Sequence, residues 1–352
     1  MSRTEPQQTT TELPFLSIVM PVRNEEAHIA ECLGSVLAQD YPKERIEIFV
    51  ADGMSTDRTR EIVSEYQTRH PNIRLVDNPE RIVPTGLNRA IRMARGDVIV
   101  RVDGHAIFAP DFLHQNVAIL AERPDVWSCG GPIVHIAHSK FGRAVAAAMS
   151  HPIGVGNATH RIANYEGYAE GAQFPALRKW VFDKIGMFDE RLVRNQDDEF
   201  NYRIALAGGK VYISPRVKYR YFVRERPSQL FKQYFQYGYW RIPVMKKHRR
   251  PTTLRQIAPP LFFLAMGLLV AAGLIMSAPL VAAALPVSYV SVLLAASVLF
   301  LPDHGISVAV RVPLALGIMH SAYGLGILFG LVSAVLHPRA WEIDNSMSSI
   351  SR

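Results

Sequence analysis
From Phe15 onward, short apolar runs alternate with stretches whose apolar residues recur every three or four positions. FLSIVMPV (15–22) predicts a buried strand. NEEAHIAECLGSVLAQ (24–39) predicts an amphipathic helix opened by Asn24, with Ile29, Leu33, Val36 and Leu37 at helical spacing. IEIFVADG predicts a second strand, and STDRTREIVSEYQTRH a second helix beginning near Ser55 or Thr56. IRLVDNP, TGLNRAIRMARG and DVIVRVDG continue as strand, helix closed by Gly96, and strand. This alternation implies an α/β domain whose mostly parallel sheet is covered by helices on both faces. Ligands bind such sheets beyond the carboxyl ends of the strands. Three of these strands run out there into polar sequence: PVRNEE, ADGMSTD and VDGH.

The pattern then changes twice. Trp127–Arg226 mixes Gly, Pro and aromatic residues without a clear period and reads as the acceptor half of the same domain. Ser228–His248 is aromatic, apolar and basic at once, a composition that suits an amphipathic helix in the headgroup region of a membrane. Three apolar runs follow, Ile257–Ser277, Leu280–Leu301 and Val312–Leu336. Each exceeds the ~18 residues that favour a spanning helix. The tight break at Ala278–Pro279 makes a hairpin of the first two, and Pro286 leaves open a re-entrant second segment. The expected organisation is a disordered polar lead-in at 1–13, an α/β domain at 14–227, an interfacial segment at 228–256, a transmembrane region of about three helices at 257–337, and a tail at 338–352.

Charge sharpens this picture. The formal net charge of +8 points to anionic partners, phosphates or acidic lipid headgroups. The densest basic run, KKHRR at Lys246–Arg250, lies just before the first apolar run, which reads as a cytoplasmic membrane anchor rather than a nucleic-acid site. The expected location is therefore the inner (plasma) membrane, multi-pass, with the α/β domain in the cytoplasm. Cys32 and Cys129 provide neither a disulfide framework nor metal-ligand spacing, and they fit a reducing compartment. No G-x-G-x-x-G follows the first strand and no G-x-S-x-G occurs, which disfavours hydride transfer and serine hydrolysis.

Four clusters carry candidate chemistry. Pro21, Arg23, Asn24 and Glu25 follow the first strand; a carboxylate there can accept from a nucleobase N–H, or Asn24 and Glu25 can simply cap the helix. Asp52 ends the second strand, where a buried carboxylate needs a partner. Asp103 and His105 end the strand DVIVRV, and two ligands one residue apart can both face a divalent ion, Mn2+ or Mg2+. Alternatively His105 packs or hydrogen-bonds and only Asp103 binds metal. Asp197, Asp198 and Glu199 open a helix; they complement its dipole, or one of them is a general base whose pKa its neighbours raise. His135, His138, His151 and His160 fall in the irregular middle and read as surface or acceptor-pocket residues.

The ordered set SIVMPVRNEE, VADGMSTDRT, the D-x-D-like VDGH and QDDEFNYR resembles the inverting glycosyltransferase family 2, over roughly Phe15–Trp240. GDVIVRVDGHA, HPIGVGNATHR and QYFQYGYWR are most similar to its ExoA-type exopolysaccharide members. The resemblance implies a GT-A fold, a Rossmann-like nucleotide-diphospho-sugar transferase domain. It implies that Pro21, Glu25 and Asp52 border a uridine, that Asp103 holds the metal and the donor pyrophosphate or ribose, and that Asp197 is the base. Gln236–Trp240 is similar to the family's Q-x-x-R-W motif at the acceptor and diphosphate side, with Tyr239 in place of Arg and Arg241 as a nearby substitute. His105 stands where the family has its second Asp, and Gln196 where it has Glu. The implied partners are a nucleotide-sugar donor, a lipid-linked saccharide acceptor and the membrane; a second copy or a polysaccharide-assembly complex is left open. Two alternatives stand beside this reading: transfer to polyprenyl phosphate itself, and a catalytically silent nucleotide-sugar-binding subunit.

Overall fold
The computed structural model describes residues 12–156, 158–162, 164–249 and 256–337. Most of the expected lead-in, Arg250 of the basic run, and the expected tail lie outside the described residues.

The alternation expected at the start of the chain is present. Strands β1 (Leu16–Val22), β2 (Ile46–Asp52), β3 (Ile73–Asp77) and β4 (Val98–Arg101) alternate with helices α1 (Ile29–Leu37), α2 (Thr59–Arg69) and α3 (Val83–Met93). β5 (Ala106–Phe108), α4 (Phe112–Glu122), β6 (Val126–Gly130), β7 (Val134–Ile136), α5 (Lys140–Met149) and the single turn α6 (Pro152–Val155) follow. Then come β8 (Gly167–Ala169), β9 (Ala176–Arg178), α7 (Trp180–Ile185), α8 (Gln196–Leu206), β10 (Lys210–Ile213) and β11 (Tyr219–Phe222). Eight strands form one sheet in the order β3-β2-β1-β4-β9-β6-β10-β8, and β5-β11-β7 form a second. β3, β2, β1 and β4 run parallel, whereas β9 and β8 run antiparallel to their neighbours. The sheet is therefore mixed rather than mostly parallel in its second half.

Alternate side chains of a strand face opposite sides, and the core follows that rule. Leu16, Ile18, Met20 and Val22 pack with Cys32, Leu33, Val63, Phe112 and Val117 on one face. Val19, Phe49 and Ile99 pack with Leu87, Ile91, Val181, Phe200 and Ile204 on the other. The parallel register sets Val22 beside Asp52 and Asp52 beside Asp77, so the carboxyl ends of β1, β2 and β3 lie together.

Asn24 does not open α1. It adopts a left-handed backbone (φ 54°), and α1 begins only at Ile29. The reason is a zipper between two loops. The Asn24 N–H donates to Ser55 Oγ (2.9 Å), Glu25 N–H to Thr59 Oγ1 (2.8 Å) and Glu26 N–H to Asp57 Oδ2 (3.1 Å), while Asn24 Oδ1 accepts from Thr56 N–H (2.9 Å). Those N–H groups are thus occupied by the neighbouring loop. α2 starts at Thr59 rather than near Ser55, and Asp57 Oδ1 accepts its first N–H at 3.0 Å.

The segment read as one interfacial helix is two, α9 (Pro227–Tyr239) and α10 (Arg241–His248), broken at Trp240. Beyond it lie α11 (Ala258–Ile275), α12 (Pro279–Val298), the short turns α13 (Leu301–His304) and α14 (Ile306–Ala309), and α15 (Val312–Leu336). Among the described residues, three stretches are helical, long and apolar enough to cross a membrane: Ala258–Ile275, Pro279–Val298 and Ile306–Leu336. Their apolar surface faces outward, with Leu268, Leu274, Leu280, Val292 and Val335 all exposed, which water disfavours and lipid does not. Pro286 sits within an unbroken α12, so the second run is a continuous helix.

α9 lies against α15 at backbone distance, through glycine. A Cβ on Gly238 would fall 2.2 Å from the Tyr323 carbonyl oxygen, and one on Gly326 2.2 Å from that of Phe235. Small residues permit such approach between helices. Gly326→Leu is expected to destabilise the protein by roughly 1–3 kcal/mol or more through overpacking. Gly267→Leu, where nothing lies within 4 Å of a new Cβ, should leave thermal unfolding in detergent unchanged. Ala144, Ala148 and Met149 of α5 join the same apolar cluster as Leu316 and Met319, so the α/β domain itself is docked onto the last helix.

Candidate active site
The expected clusters converge at the carboxyl ends of β1, β2 and β4, joined by the first turn of α8. At the ends of β1 and β2, Asp52 is fully buried and not without partners. Its carboxylate accepts from Ser55 Oγ (2.5 Å) and pairs with Arg60 Nη1 (2.7 Å), and the same guanidinium reaches Asp77 at 2.8 Å. Arg60 is thus a clamp on two adjacent strand ends that sequence reasoning missed. Pro21 lies within β1, in register with Ala51. Arg23 lies over Gly53, donates weakly to the Arg81 carbonyl (3.5 Å), and keeps a buried Nε without a partner among the described residues.

His105 is hydrogen-bonded, one of the two arrangements expected of it. Its Nδ1 lies 3.0 Å from Glu25 Oε1, and its ring meets Tyr221 edge-on at 5.1 Å. Burial works against the charged imidazole, but the Glu25 hydrogen bond and the charges of Glu25 and Asp103 outweigh it and raise the His105 pKa. The arrangement is a Glu–His pair beside Asp103, in which Glu25 engages Nδ1 and leaves Nε2 outside that contact.

Asp103 is held by Arg101, from Nε to Oδ1 at 3.1 Å and Nη2 to Oδ2 at 3.3 Å. Arg101 is buried in β4, and its Nη1 also lies 3.8 Å from Asp197 Oδ2. One guanidinium therefore fixes the carboxylate at the end of β4 relative to the one at the start of α8. The sequence did carry a signal for it: an arginine in an apolar strand, two residues before Asp103 and so on the same side of the strand.

α8 begins after Asn195, which takes a left-handed conformation (φ 60°) and donates from Nδ2 to the Tyr237 carbonyl at 2.9 Å. Asn tolerates that backbone better than most residues. The turn presents Asp197 and Asp198 with opposed proton affinities. For Asp197, burial and the charge of Asp198 outweigh Arg101 and raise the pKa. For Asp198, burial is outweighed by Arg241, whose Nη2 donates to Oδ2 at 2.5 Å, and the pKa falls. Two adjacent carboxylates pushed apart in this way suit different tasks. Asp197 is 33% exposed, reachable by a substrate, and is the one fitted to accept a proton. Gln196 is buried, with Oε1 lacking a partner among the described residues.

Of the aromatic motif, Gln236 and Trp240 are buried at the α9–α10 junction. Tyr239 turns its hydroxyl towards Ser333 of α15 (3.2 Å) rather than the site. Arg241 supplies the guanidinium beside the acid pair instead. Burial pushes the Cys32 and Cys129 thiols well up, so both are inert.

Comparison with known proteins agrees with this geometry. Residues 17–180 match the family described as Glycosyl transferase family 2. The chain is 32% identical over 249 residues to the succinoglycan biosynthesis protein ExoA of Rhizobium meliloti, covering 69% of this chain and 73% of that one. It is 31% identical over 232 residues to a dolichyl N-acetyl-alpha-D-glucosaminyl phosphate diacetamido-dideoxy-glucuronosyltransferase of Methanococcus voltae, covering 64% and 72%. Among solved structures, a mannosyltransferase of Pyrobaculum calidifontis in complex with GDP-Man and Mn2+ matches with a TM-score of 0.57 at 20% identity, over 94% of this chain and 89% of that one. Fold and site together define a glycosyltransferase with a GT-A domain. The chain belongs to glycosyl transferase family 2, with relatives in exopolysaccharide and lipid-linked glycan synthesis.

Proposed function
We propose that the chain is an inverting transferase that moves a sugar from a UDP-sugar to a hydroxyl of a polyprenyl-diphosphate-linked saccharide, at the cytoplasmic face of the inner membrane. The observation that carries this reading is the buried Arg101 between Asp103 and Asp197. It sets a donor-holding carboxylate and a basic carboxylate in one fixed geometry, as a single displacement requires. Asp197 accepts the proton of the acceptor hydroxyl while its oxygen attacks the anomeric carbon and the bond to the nucleotide diphosphate breaks. Arg23 and Asp52 with its Arg60 clamp border the nucleoside side. Glu25 orients His105.

The residues present fit a divalent ion through Asp103, since Mg2+ and Mn2+ at nucleotide sites need only one or two carboxylates and complete their shell from phosphate and water oxygens. Mn2+ or Mg2+ bound there supplies positive charge to the leaving diphosphate. Asp103 would hold it, and His105, whose Nδ1 is taken by Glu25, would offer its Nε2. Lipid-linked saccharide acceptors are supported by the dolichyl N-acetyl-glucosaminyl phosphate in the name of the Methanococcus voltae relative, and exopolysaccharide synthesis by the succinoglycan protein. The three apolar helices and the α5–α15 contact would keep the cleft at a membrane surface.

The test is release of UDP from a panel of UDP-sugars by the detergent-purified chain with membrane lipid extract and Mn2+ or Mg2+, with Asp103→Ala beside it. Turnover with one sugar, abolished in the variant, is the expected result. Absence of turnover with every UDP-sugar would sink the donor assignment.

A further inference from the structure
Tyr221 divides the cleft. Its ring meets His105, in the donor half, at 5.1 Å, and the ring of His135 edge-on at 6.3 Å. Behind His135 lies a cationic pocket that the transfer chemistry above does not use. Its centre is Arg161, at the end of a short 3-10 turn (Thr159–Arg161) whose His160 carbonyl accepts from Ile133 N–H at 2.9 Å. The guanidinium of Arg161 lies within electrostatic reach of Asp198 and of the hydroxyls of Tyr221, Tyr234 and Tyr237. Asp198 is already taken by Arg241 at 2.5 Å. Among the described residues Arg161 forms no ion pair, and its Nη1 is buried without a hydrogen-bond partner. His135 gives Nδ1 to Ser150 Oγ (2.9 Å), and its Nε2 is likewise buried and unpartnered. Burial and the charges of Arg161 and His160 keep that imidazole neutral.

Asp198 and the tyrosines hold Arg161 charged, and Tyr234 shares a hydrogen bond with it, but a buried Nη1 with no partner is costly to keep. An anion there would remove that cost, and the groups around Arg161 say which kind. Arginine forks and tyrosine hydroxyls favour phosphate oxygens. Two of these groups also lie on the helix packed against a spanning helix. Tyr234 and Tyr237 belong to α9, which glycine contacts seat on the spanning helix α15. Arg23 and Asp52, read above as the nucleoside side, lie at the ends of β1 and β2.

We propose that Arg161, with Tyr234, Tyr237 and Arg241 around it, forms a subsite for the phosphate or diphosphate of a lipid-borne acceptor; this rests on the transferase reading above and names where that acceptor is held. The subsite lies next to Asp197, so a sugar hydroxyl attached to the bound diphosphate is delivered to the base. The same phosphate chemistry could come from the donor's own diphosphate, and the test separates the two sources.

The full chain in detergent, saturated with UDP and Mn2+, is titrated with farnesyl diphosphate and with inorganic pyrophosphate. Wild-type protein should bind farnesyl diphosphate, with pyrophosphate competing. Arg161→Gln should weaken farnesyl diphosphate about ten-fold or more, the loss of one charge-assisted contact. Arg161→Lys should recover part of it, and UDP affinity should be unchanged in both variants. Tyr237→Phe, which leaves the backbone carbonyl bonded to Asn195, is a second variant and should weaken farnesyl diphosphate in the same sense. Failure of the UDP-loaded wild type to bind farnesyl diphosphate would overturn the proposal, as would equal binding by a folded Arg161→Gln. If Arg161→Gln does not fold, unchanged binding by Tyr237→Phe overturns it. Parallel loss of UDP in folded Arg161→Gln, or binding of pyrophosphate but not of farnesyl diphosphate, assigns the pocket to the donor instead. Failure of the transferase reading would appear separately, as a chain that binds farnesyl diphosphate but releases UDP from no UDP-sugar.

Discussion

Asp197→Asn is expected to lower sugar transfer by about 10²–10⁴-fold, the usual contribution of a positioned general base, while UDP binding is retained. The substitution keeps the shape of the first turn of α8 and the contact with Arg101, and removes only the basic oxygen. The pH dependence has a definite sign. Asp197 works deprotonated, and its pKa is raised by burial and by Asp198, so activity should fall on the acid side at a pH above the ordinary aspartate range. Asp198→Asn removes the like charge and frees Arg241 to act on Asp197; both effects lower the Asp197 pKa. The acid limb of the rate profile should then move to lower pH. An unmoved limb would mean that another group titrates in the rate. Near-normal transfer by Asp197→Asn would remove the base assignment altogether.

Glu199→Ala should be the most destabilising single change outside the sheet. Glu199 is fully buried on α8, and its Oε1 faces Arg203 Nε at 2.9 Å, Lys247 Nζ at 2.8 Å and His248 Nε2 at 3.1 Å. Removing it leaves cations facing one another across a buried gap, which costs about 3–5 kcal/mol. That corresponds to a fall in Tm of roughly 6–20 °C at the size scaling of large domains. The Glu199 pKa is lowered because hydrogen bonds and charge from Arg203 and Lys247 outweigh its burial. Its contribution is therefore complete above the unfolded glutamate value of about 4.3. It is lost as pH falls through the lower folded value, and the Tm gap between wild type and variant should close there. Lys247 and His248 lie on α10, which leads towards the spanning helices, so this cluster also ties the helix of the base to the membrane-proximal segment. Thermal unfolding in detergent at two pH values measures both effects.

The first half of the fold could be read from the sequence because its strands and helices are long enough to show their periods: FLSIVMPV and IEIFVAD are β1 and β2 nearly residue for residue. The loops between them could not. Asn24 has the chemistry of a helix cap, and only the zipper to Ser55, Thr56 and Thr59 moves the helix start to Ile29. In the middle of the chain, β5, β7, β8 and β9 have three residues each, too few to reveal a period of two. The apolar runs stood out by length, yet Ser228–His248 is two helices rather than the single one expected. Gly238 was the available clue, since it matches Gly326 across the α9–α15 contact. At the site, Asp103 and Asp197 were legible as acids at a strand end and a helix start. Arg101 was marked only as an arginine in an apolar strand, and Arg60 not at all, because a guanidinium shared between two carboxylates exists only once β4 and α8, or β2 and β3, are brought together.

The most direct test of the central claim is the identity of the lipid-phase product. A radiolabelled sugar is transferred from its UDP donor to membrane lipid extract by the wild-type chain, and the extracted lipid is cleaved with mild acid, which breaks the anomeric bond to phosphate. Transfer to a hydroxyl of a diphosphate-linked saccharide predicts label in an oligosaccharide, with none formed by Asp197→Asn. Label released as free monosaccharide, and formed equally by Asp197→Asn, would show that the acceptor is the lipid phosphate itself and would contradict the account.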